Sequence, residues 1–328
     1  MADPLRLPVK ELKTCDPGVA FEGLFLLKKK ASKTAKNGNP FLMVEFGDRT
    51  GGFSATLFND APGYAAAEAT VEGAVVRVEG RTDRYNDKFS PKLFTVEPLD
   101  PADPGLADAL EHLVESSPED GGLLWKELQE HIAAIAHPGL RATVDSVFAE
   151  IGETFRTSSA AVAMHHAYRC GLLEHTVHIA RAGRALLPLY PEVEPSLALA
   201  GILLHDTGKV VEYTQSLTTK RTRTGILQGH VVLGYALARK HGLRNKLAPA
   251  LLERLEHIIL SHQGELEWGA AAMAATPEAV FVSLADNLDA KMGMVQKALR
   301  DAVPGAEFSE YIAGLKAPLL LTPPDMEA

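Results

Sequence analysis

The period of the hydrophobic pattern changes once along this 328-residue chain, across the proline-rich stretch Pro98-Leu99-Asp100-Pro101-Ala102-Asp103-Pro104-Gly105. Upstream, the apolar runs are short and alternating, at residues 20–27, 41–46, 54–58, 74–79 and 92–96. Turn-forming strings separate them, among them Lys36-Asn37-Gly38-Asn39-Pro40 and Asp48-Arg49-Thr50-Gly51-Gly52. Downstream, alanine and leucine recur with helical spacing over residues 106–115, 123–136, 140–150, 172–187, 196–205, 229–241, 246–261 and 277–300. Proline fixes φ and offers no N–H, so the stretch between continues neither a ladder nor a helix. The chain therefore reads as two architectures. Five short strands with a helix interposed at 61–69 fit a small closed β-barrel of the OB type, with a five-stranded sandwich as the rival. The remainder reads as all-α. The expected division is a barrel at 1–99, a linker and helical connector at 100–155, a helical domain at 156–315 and a C-terminal tail at 316–328.

Composition narrows the function. Hydrophobic residues make up 46% and charged residues 23%, ordinary for a globular chain. No run of 18 uncharged apolar residues occurs, so no membrane partner is expected. Residues 1–13 carry charges and prolines where a signal peptide needs an apolar core. Cys15 and Cys170 are too few for a disulfide scaffold or a cysteine zinc site, and a cytoplasmic location is expected. The net charge of −9 lies wholly beyond residue 100, because residues 1–100 hold 14 basic and 14 acidic side chains. That balance excludes a generic nucleic-acid coat and leaves room for a local basic patch in the barrel. Lys28, Lys29, Lys30, Lys33 and Lys36 form a run without an acidic residue. Nearby rings are Phe41, Phe46, Phe53, Phe58, Tyr85, Phe89 and Phe94. OB barrels hold single strands with basic grooves and stacked aromatics. Lys28, Lys29, Lys30, Lys33 and the loop residues Tyr85 and Phe89 are the expected strand contacts. The plainer alternative is a solvated lysine turn and aromatics packed in the core.

Nine of the twelve histidines fall between His165 and His262. They belong to an ordered series: HHAYRCGLLEHTVH at 165–178, LLHDTGK at 203–209, His230, Ser261-His262-Gln263-Gly264, and LADNLDAKM at 284–292. A lone histidine on an apolar helix is usually a hydrogen-bonded core residue. Here His205-Asp206 closes the apolar run 197–204, where two ionisable groups are costly unless paired or bound to a metal. Imidazole and carboxylate suit Mn²⁺, Fe²⁺, Co²⁺ or Zn²⁺, and helices can bring such ligands together inside a bundle.

The order His175, His205-Asp206, Asp286 resembles the HD superfamily of metal-dependent phosphohydrolases. The fuller strings resemble one branch, the YhaM-type 3′→5′ exoribonucleases, which join an N-terminal OB-fold to an HD domain. The similarity extends to NGNPFLMVEFGDRTG at 37–51 and FSEYIAGL at 308–315. The resemblance implies that His175, His205, Asp206 and Asp286 hold a first metal. It implies a second metal at His230 and His262 with Asp206 as bridge, so one or two ions, with Mn²⁺ first among the candidates. One departure stands out: family members often read Ser-His-His-Gly where this chain has Gln263.

Other residues carry two readings each. Lys209, four residues after His205, is a phosphate-binding candidate or a helix-terminal lysine. Arg169, His165 and His166 are candidates for holding the scissile phosphate or terminal nucleotide, or else surface and capping residues. Asp206, Lys209 and Arg169 form the expected catalytic set. Asp289 is expected to be a solvated carboxylate or to touch a ligand, and His178 to touch a ligand or pack in the core, rather than to hold the metal. A divalent cation stabilises the charge that develops during phosphodiester hydrolysis and lowers the pKa of water towards ~7. The expected function is metal-dependent 3′→5′ exonucleolysis of single-stranded RNA, with single-stranded DNA as a second substrate, yielding nucleoside 5′-monophosphates. An HD phosphohydrolase of small or cyclic nucleotides is the alternative, and a non-enzymatic adaptor the third. Homo-oligomerisation is compatible with the sequence.

Overall fold

The computed structural model describes residues 6–35, 38–86, 88–100, 102, 106–161, 166, 168–215, 217–302 and 305–322, without the side chains of 107–109 and 111. The chain divides into two compact units, Met1–Ser116 with Ser216–Thr218, and Ser117–Gln215 with Thr219–Ala328.

The first unit is built on an antiparallel sheet. After a short helix α1 (Val9–Leu12) come β1 (Ala20–Thr34), β2 (Pro40–Asp48) and β3 (Gly51–Phe58). Helix α2 (Tyr64–Ala69) precedes β4 (Val75–Arg81), the small hairpin β5 (Arg84–Tyr85) and β6 (Lys88–Phe89), and β7 (Lys92–Pro98). Helix α3 (Leu106–Leu113) closes the unit. The five long strands run in the order β3-β2-β1-β4-β7. This is a barrel-like sheet of the OB type that is not closed, since no ladder joins β3 to β7 among the described residues. Rings fill part of the gap: Phe53 meets Phe89 edge-on at 5.7 Å, and Gly63 lies against the Val96 backbone.

Side chains alternate cleanly across β2 and β3. Leu42, Val44, Phe46, Phe53, Ala55 and Leu57 face the core, and Phe41, Met43, Ser54, Thr56 and Phe58 face outward. Lys28, Lys29, Lys30 and Lys33 prove to be strand rather than turn, and Lys36 lies outside the described residues. β1 bulges between Leu27 and Lys29 and then pairs with β2 as far as Thr34 opposite Pro40.

The second unit is helical: α4 (Gly121–Ala133), α5 (Pro138–Thr157), α6 (Gly171–Leu186), α7 (Pro195–Leu204), α8 (Lys209–Glu212), α9 (Arg223–Arg244), α10 (Pro249–Ser261) and α11 (Pro277–Arg300). Proline at the first turn of α5, α7, α10 and α11 suits positions whose N–H has no partner in the helix. Side chains cap several N-termini; Asp120, Glu194, Thr222 and Thr276 each accept from a backbone N–H in the first turn. Helix α7 is buried on every side from Ser196 to Leu204, as a helix without a polar face must be. Each fully buried leucine or isoleucine there contributes roughly 1.5–3 kcal/mol. No helix among the described residues is long and apolar enough to cross a membrane.

Candidate metal centre

Five helix ends and faces deliver the ionisable residues to one place. α6 carries His175 in its second turn, and α7 stops at Leu204, which leaves His205 and Asp206 at the buried end of an apolar helix. Gly208 permits close approach of α9, because a Cβ there would overlap the His230 carbonyl oxygen. Helix α9 is broken at Gly229, whose φ of 71° is left-handed, and His230 follows the break. His262 follows the last residue of α10, and Asp286 and Asp289 lie three apart on the inner side of α11.

The geometry centres on Asp206. His175 Nε2 lies 3.4 Å from Asp206 Oδ2 and 3.2 Å from Asp286 Oδ1. His205 Nε2 lies 3.3 Å from Asp206 Oδ2 and 3.9 Å from Asp286 Oδ1. The other oxygen, Oδ1, faces His230 Nε2 at 3.5 Å and His262 Nε2 at 3.6 Å. One carboxylate thus turns one oxygen to each pair of imidazoles, the disposition of a bridging ligand.

Each imidazole is oriented from behind. His175 Nδ1 meets Asp289 Oδ2 at 2.7 Å, and His230 Nδ1 meets Glu212 Oε2 at 2.7 Å. His205 Nδ1 meets the Ile202 carbonyl and His262 Nδ1 the Ile259 carbonyl, both at 2.7 Å. An acceptor at Nδ1 directs Nε2 to the ion and raises its basicity.

The donor set fits divalent cations. Asp206 is 2% exposed, yet its Oδ1 accepts no hydrogen bond from any described residue. A buried carboxylate oxygen without a donor is strongly unfavourable, and a cation removes that penalty. His175, His205, Asp206 and Asp286 fit one ion, and Asp206, His230 and His262 fit a second.

Electrostatics support the same grouping. Burial pushes the Asp206 carboxyl up, but Lys209, whose Nζ lies 2.6 Å from Oδ2, and His205 hold it well below the usual range. Asp286 falls to about 2 against its burial, through the His175 hydrogen bond and the charge of His205. Burial lowers His175, but Asp206, Asp286 and Asp289 outweigh it and hold the imidazole well above its usual value. Burial likewise opposes the charge on Lys209, and Asp206 raises it on balance.

Asp289 is a hub rather than a solvated carboxylate. It takes His175 and His166 on Oδ2 and has His178 Nδ1 at 3.3 Å from Oδ1. His178 rises to about 8 through the Asp289 bond, against burial, with help from Glu119.

The His166 ring is buried, with Nε2 on Asp289 at 3.0 Å and Nδ1 on the Tyr168 hydroxyl at 2.9 Å, so it braces the centre. His165 lies outside the described residues. Lys209 is buried against Asp206 rather than free at a helix end. Arg169 is exposed beside Cys170 and is not brought into the cluster. Glu212 was not singled out from the sequence; its only signal is a carboxylate six residues after Asp206.

In the β unit the lysines divide. Lys28 Nζ bonds the Gly51 carbonyl at 3.3 Å, and burial lowers its pKa. Lys30 Nζ bonds the carbonyls of Glu68 and Thr70. Both ammonium groups thus bond main-chain carbonyls. Lys29 and Lys33 are exposed, and Lys29 lies 3.9 Å from Glu45. Phe89 is half-buried and meets Phe53 edge-on, whereas Tyr85 is 73% exposed. Half-buried Phe41, paired across the strands with Lys33, meets exposed Phe58 at 5.9 Å.

A histidine–aspartate cluster converging inside a helical bundle defines the second unit as an HD domain, and the HD domain family matches residues 172–291. The whole chain has close counterparts. It is 32% identical to the 3'-5' exoribonuclease YhaM of Shouchella clausii, over 91% of this chain and 92% of that one. It is 31% identical to the protein of that name from a Geobacillus species, over 89% of each, and 32% identical to that of Halalkalibacterium halodurans, over 91% of each. The chain belongs to the family of YhaM 3'-5' exoribonucleases.

Proposed function

We propose that this protein is a metal-dependent exoribonuclease that removes nucleoside 5′-monophosphates from the 3′ end of single-stranded RNA. The observation that carries the reading is Asp206, a buried carboxylate with one oxygen toward each of two imidazole pairs. The names of its relatives give the substrate and the direction. Cleavage and strand-holding are assigned to different units: the HD domain cuts, and the OB-type unit at the N-terminus, ahead of the linker and helical connector, holds the strand.

Hydrolysis of the last phosphodiester places a water oxygen on phosphorus and expels the 3′-oxygen of the penultimate nucleotide. Divalent cations held there, Mn²⁺ foremost, would supply Lewis acidity to the phosphate and lower the pKa of water. His175, His205, Asp206 and Asp286 would hold one ion, and His230 and His262, with Asp206, would hold a second. Lys209 keeps Asp206 ionised and sets a buried positive charge beside the phosphate. Arg169, exposed and apart from the cluster, guides the incoming strand rather than breaking the bond.

The strand lies on the outer face of β1–β3. Lys29 and Lys33 are available to phosphates there, and Phe41, Met43 and Phe58 offer apolar surface for bases. Tyr85 adds an exposed ring. Such a face reads backbone and base stacking, so single-stranded DNA is a second substrate. The two free thiols, Cys15 and Cys170, suit a reducing cytoplasm.

The test is incubation with Mn²⁺, end-labelled RNA and a cyclic dinucleotide in parallel. The RNA is expected to yield 5′-monophosphates while the cyclic dinucleotide persists. His205→Ala and Asp206→Ala are expected to abolish hydrolysis and leave RNA binding intact. Preferential cleavage of the cyclic dinucleotide would instead establish a small-nucleotide phosphohydrolase.

A further inference from the structure

Gln263 follows His262, and its side chain enters the cluster. Its amide nitrogen stands 3.1 Å from His230 Nε2 and 3.1 Å from His262 Nε2. The neighbours fix the direction of these bonds. His230 Nδ1 lies 2.7 Å from the Glu212 carboxylate, and His262 Nδ1 lies 2.7 Å from the Ile259 carbonyl. Each Nδ1 therefore donates, and in the neutral imidazole that binds a metal each Nε2 presents a lone pair. An amide oxygen facing two lone pairs is repelled, whereas an NH₂ group has one proton for each. The nitrogen therefore faces inward. It donates to the same two lone pairs that the second cation must use.

We propose that Gln263 is a placeholder for the second metal ion: its amide caps His230 and His262 with two hydrogen bonds, so a second divalent cation binds only by displacing it. This rests on the metal centre proposed above. The first position has two imidazoles and two carboxylates, Asp206 and Asp286. The second has two imidazoles and only a share of Asp206. Charge therefore favours the first position, and the amide adds a competitor at the second. The centre fills in order. The first ion is retained, and occupancy by the second follows the free cation concentration. An imidazole at residue 263 would present a lone pair of its own; the amide presents protons.

The experiment is Mn²⁺ binding to the full chain, by equilibrium dialysis with elemental analysis. The wild-type protein is compared with Gln263→Met, which fills the same volume without a donor, and with Gln263→His, which supplies a ligand. The wild-type chain is expected to bind one ion tightly and a second more weakly. Loss of the two amide hydrogen bonds in Gln263→Met is expected to tighten the second ion roughly tenfold and leave the first unchanged. Gln263→His is expected to tighten it as well, and serves alone if methionine disturbs the thermal melting of the protein. Weaker binding of the second ion to Gln263→Met overturns the proposal, because the amide would then be a ligand through its oxygen. Unchanged isotherms, or two equal ions in the wild-type chain, overturn it while leaving the metal centre standing. A wild-type chain that binds no Mn²⁺ removes the metal centre and the placeholder together.

Discussion

Asp289 stands behind His175, at the back of the candidate metal centre. Its carboxylate accepts from His175 at 2.7 Å and is itself braced by His166 and His178. Asp289→Asn keeps the shape and removes the charge, so the first ion is expected to bind ~10–100-fold more weakly, with RNA affinity unchanged. Metal-binding isotherms check this, and unchanged isotherms would reduce Asp289 to packing. Farther out, Arg181 bridges Glu119 and Glu127 through paired contacts of 2.7–2.9 Å. Glu119 sits at about 2 instead of 4.5, chiefly through the Arg181 hydrogen bond. A depressed carboxyl contributes stability that is fully present above 4.5 and is lost as pH falls through about 2. The Arg181 and Glu119 side chains are 40% and 38% exposed, so screening holds the contribution to about 1 kcal/mol. Arg181→Met is expected to melt below the wild type at neutral pH, with the gap closing on acidification between those two values. A gap that persists in acid would point to lost packing of the arginine stem. At this scale most of the clustered histidines and aspartates were legible because they sit in distinctive strings, in an order shared with a known family. The residues behind them were not. Choosing Glu212 for His230, or Asp289 over a surface role, needs the neighbouring helix in place.

At the scale of elements, positions without side chains matter as much as ligands. Gly208 lies against the His230 carbonyl, so Gly208→Ala forces α8 and the second half of α9 apart. It is expected to cost about 1–3 kcal/mol and to displace His230 before His175 or His205. Thermal melting reads the first effect, and Mn²⁺ isotherms that lose the second ion before the first read the other. In the sheet, β1 runs on through the lysines because β2 offers a partner as far as Pro40. Sequence alone ended the strand at Leu27, since consecutive lysines carry no alternation to read. Strand geometry then sorts the lysines: Lys29 and Lys33 point outward, and Lys28 and Lys30 bond carbonyls. Replacing Lys29 and Lys33 with Gln is expected to flatten the log–log salt dependence of RNA binding by roughly 1.4 units, about 0.7 for each phosphate contact. Lys28→Gln is expected to leave the slope alone. Equal slopes for all these proteins would remove the outer sheet face from the strand path.

For the whole molecule, the change of hydrophobic period at residues 98–105 announced two architectures, and two compact units are present. That much was legible because strand and helix periodicities are local properties of the chain. The open edge between β3 and β7 was not, since strand runs in a sequence record neither closure nor its failure. The division of labour predicts that removing residues 1–116 weakens binding of long RNA far more than it slows cleavage of a dinucleotide. Circular dichroism confirms that the remaining unit is folded, and equal losses on both substrates would contradict the division.

Exonucleolysis from the 3′ end is tested most directly by label release from the two ends of a single-stranded RNA. With Mn²⁺ present and identical RNAs labelled at either end, the 3′ label is expected as a nucleoside 5′-monophosphate at the earliest time points. The 5′ label should remain on a strand that shortens stepwise, and a chelator or the Asp206→Ala substitution should stop both processes. A duplexed or phosphorylated 3′ end should stall the enzyme. Early internal fragments, cleavage of a circular single strand, or full activity of the Asp206→Ala protein would contradict it.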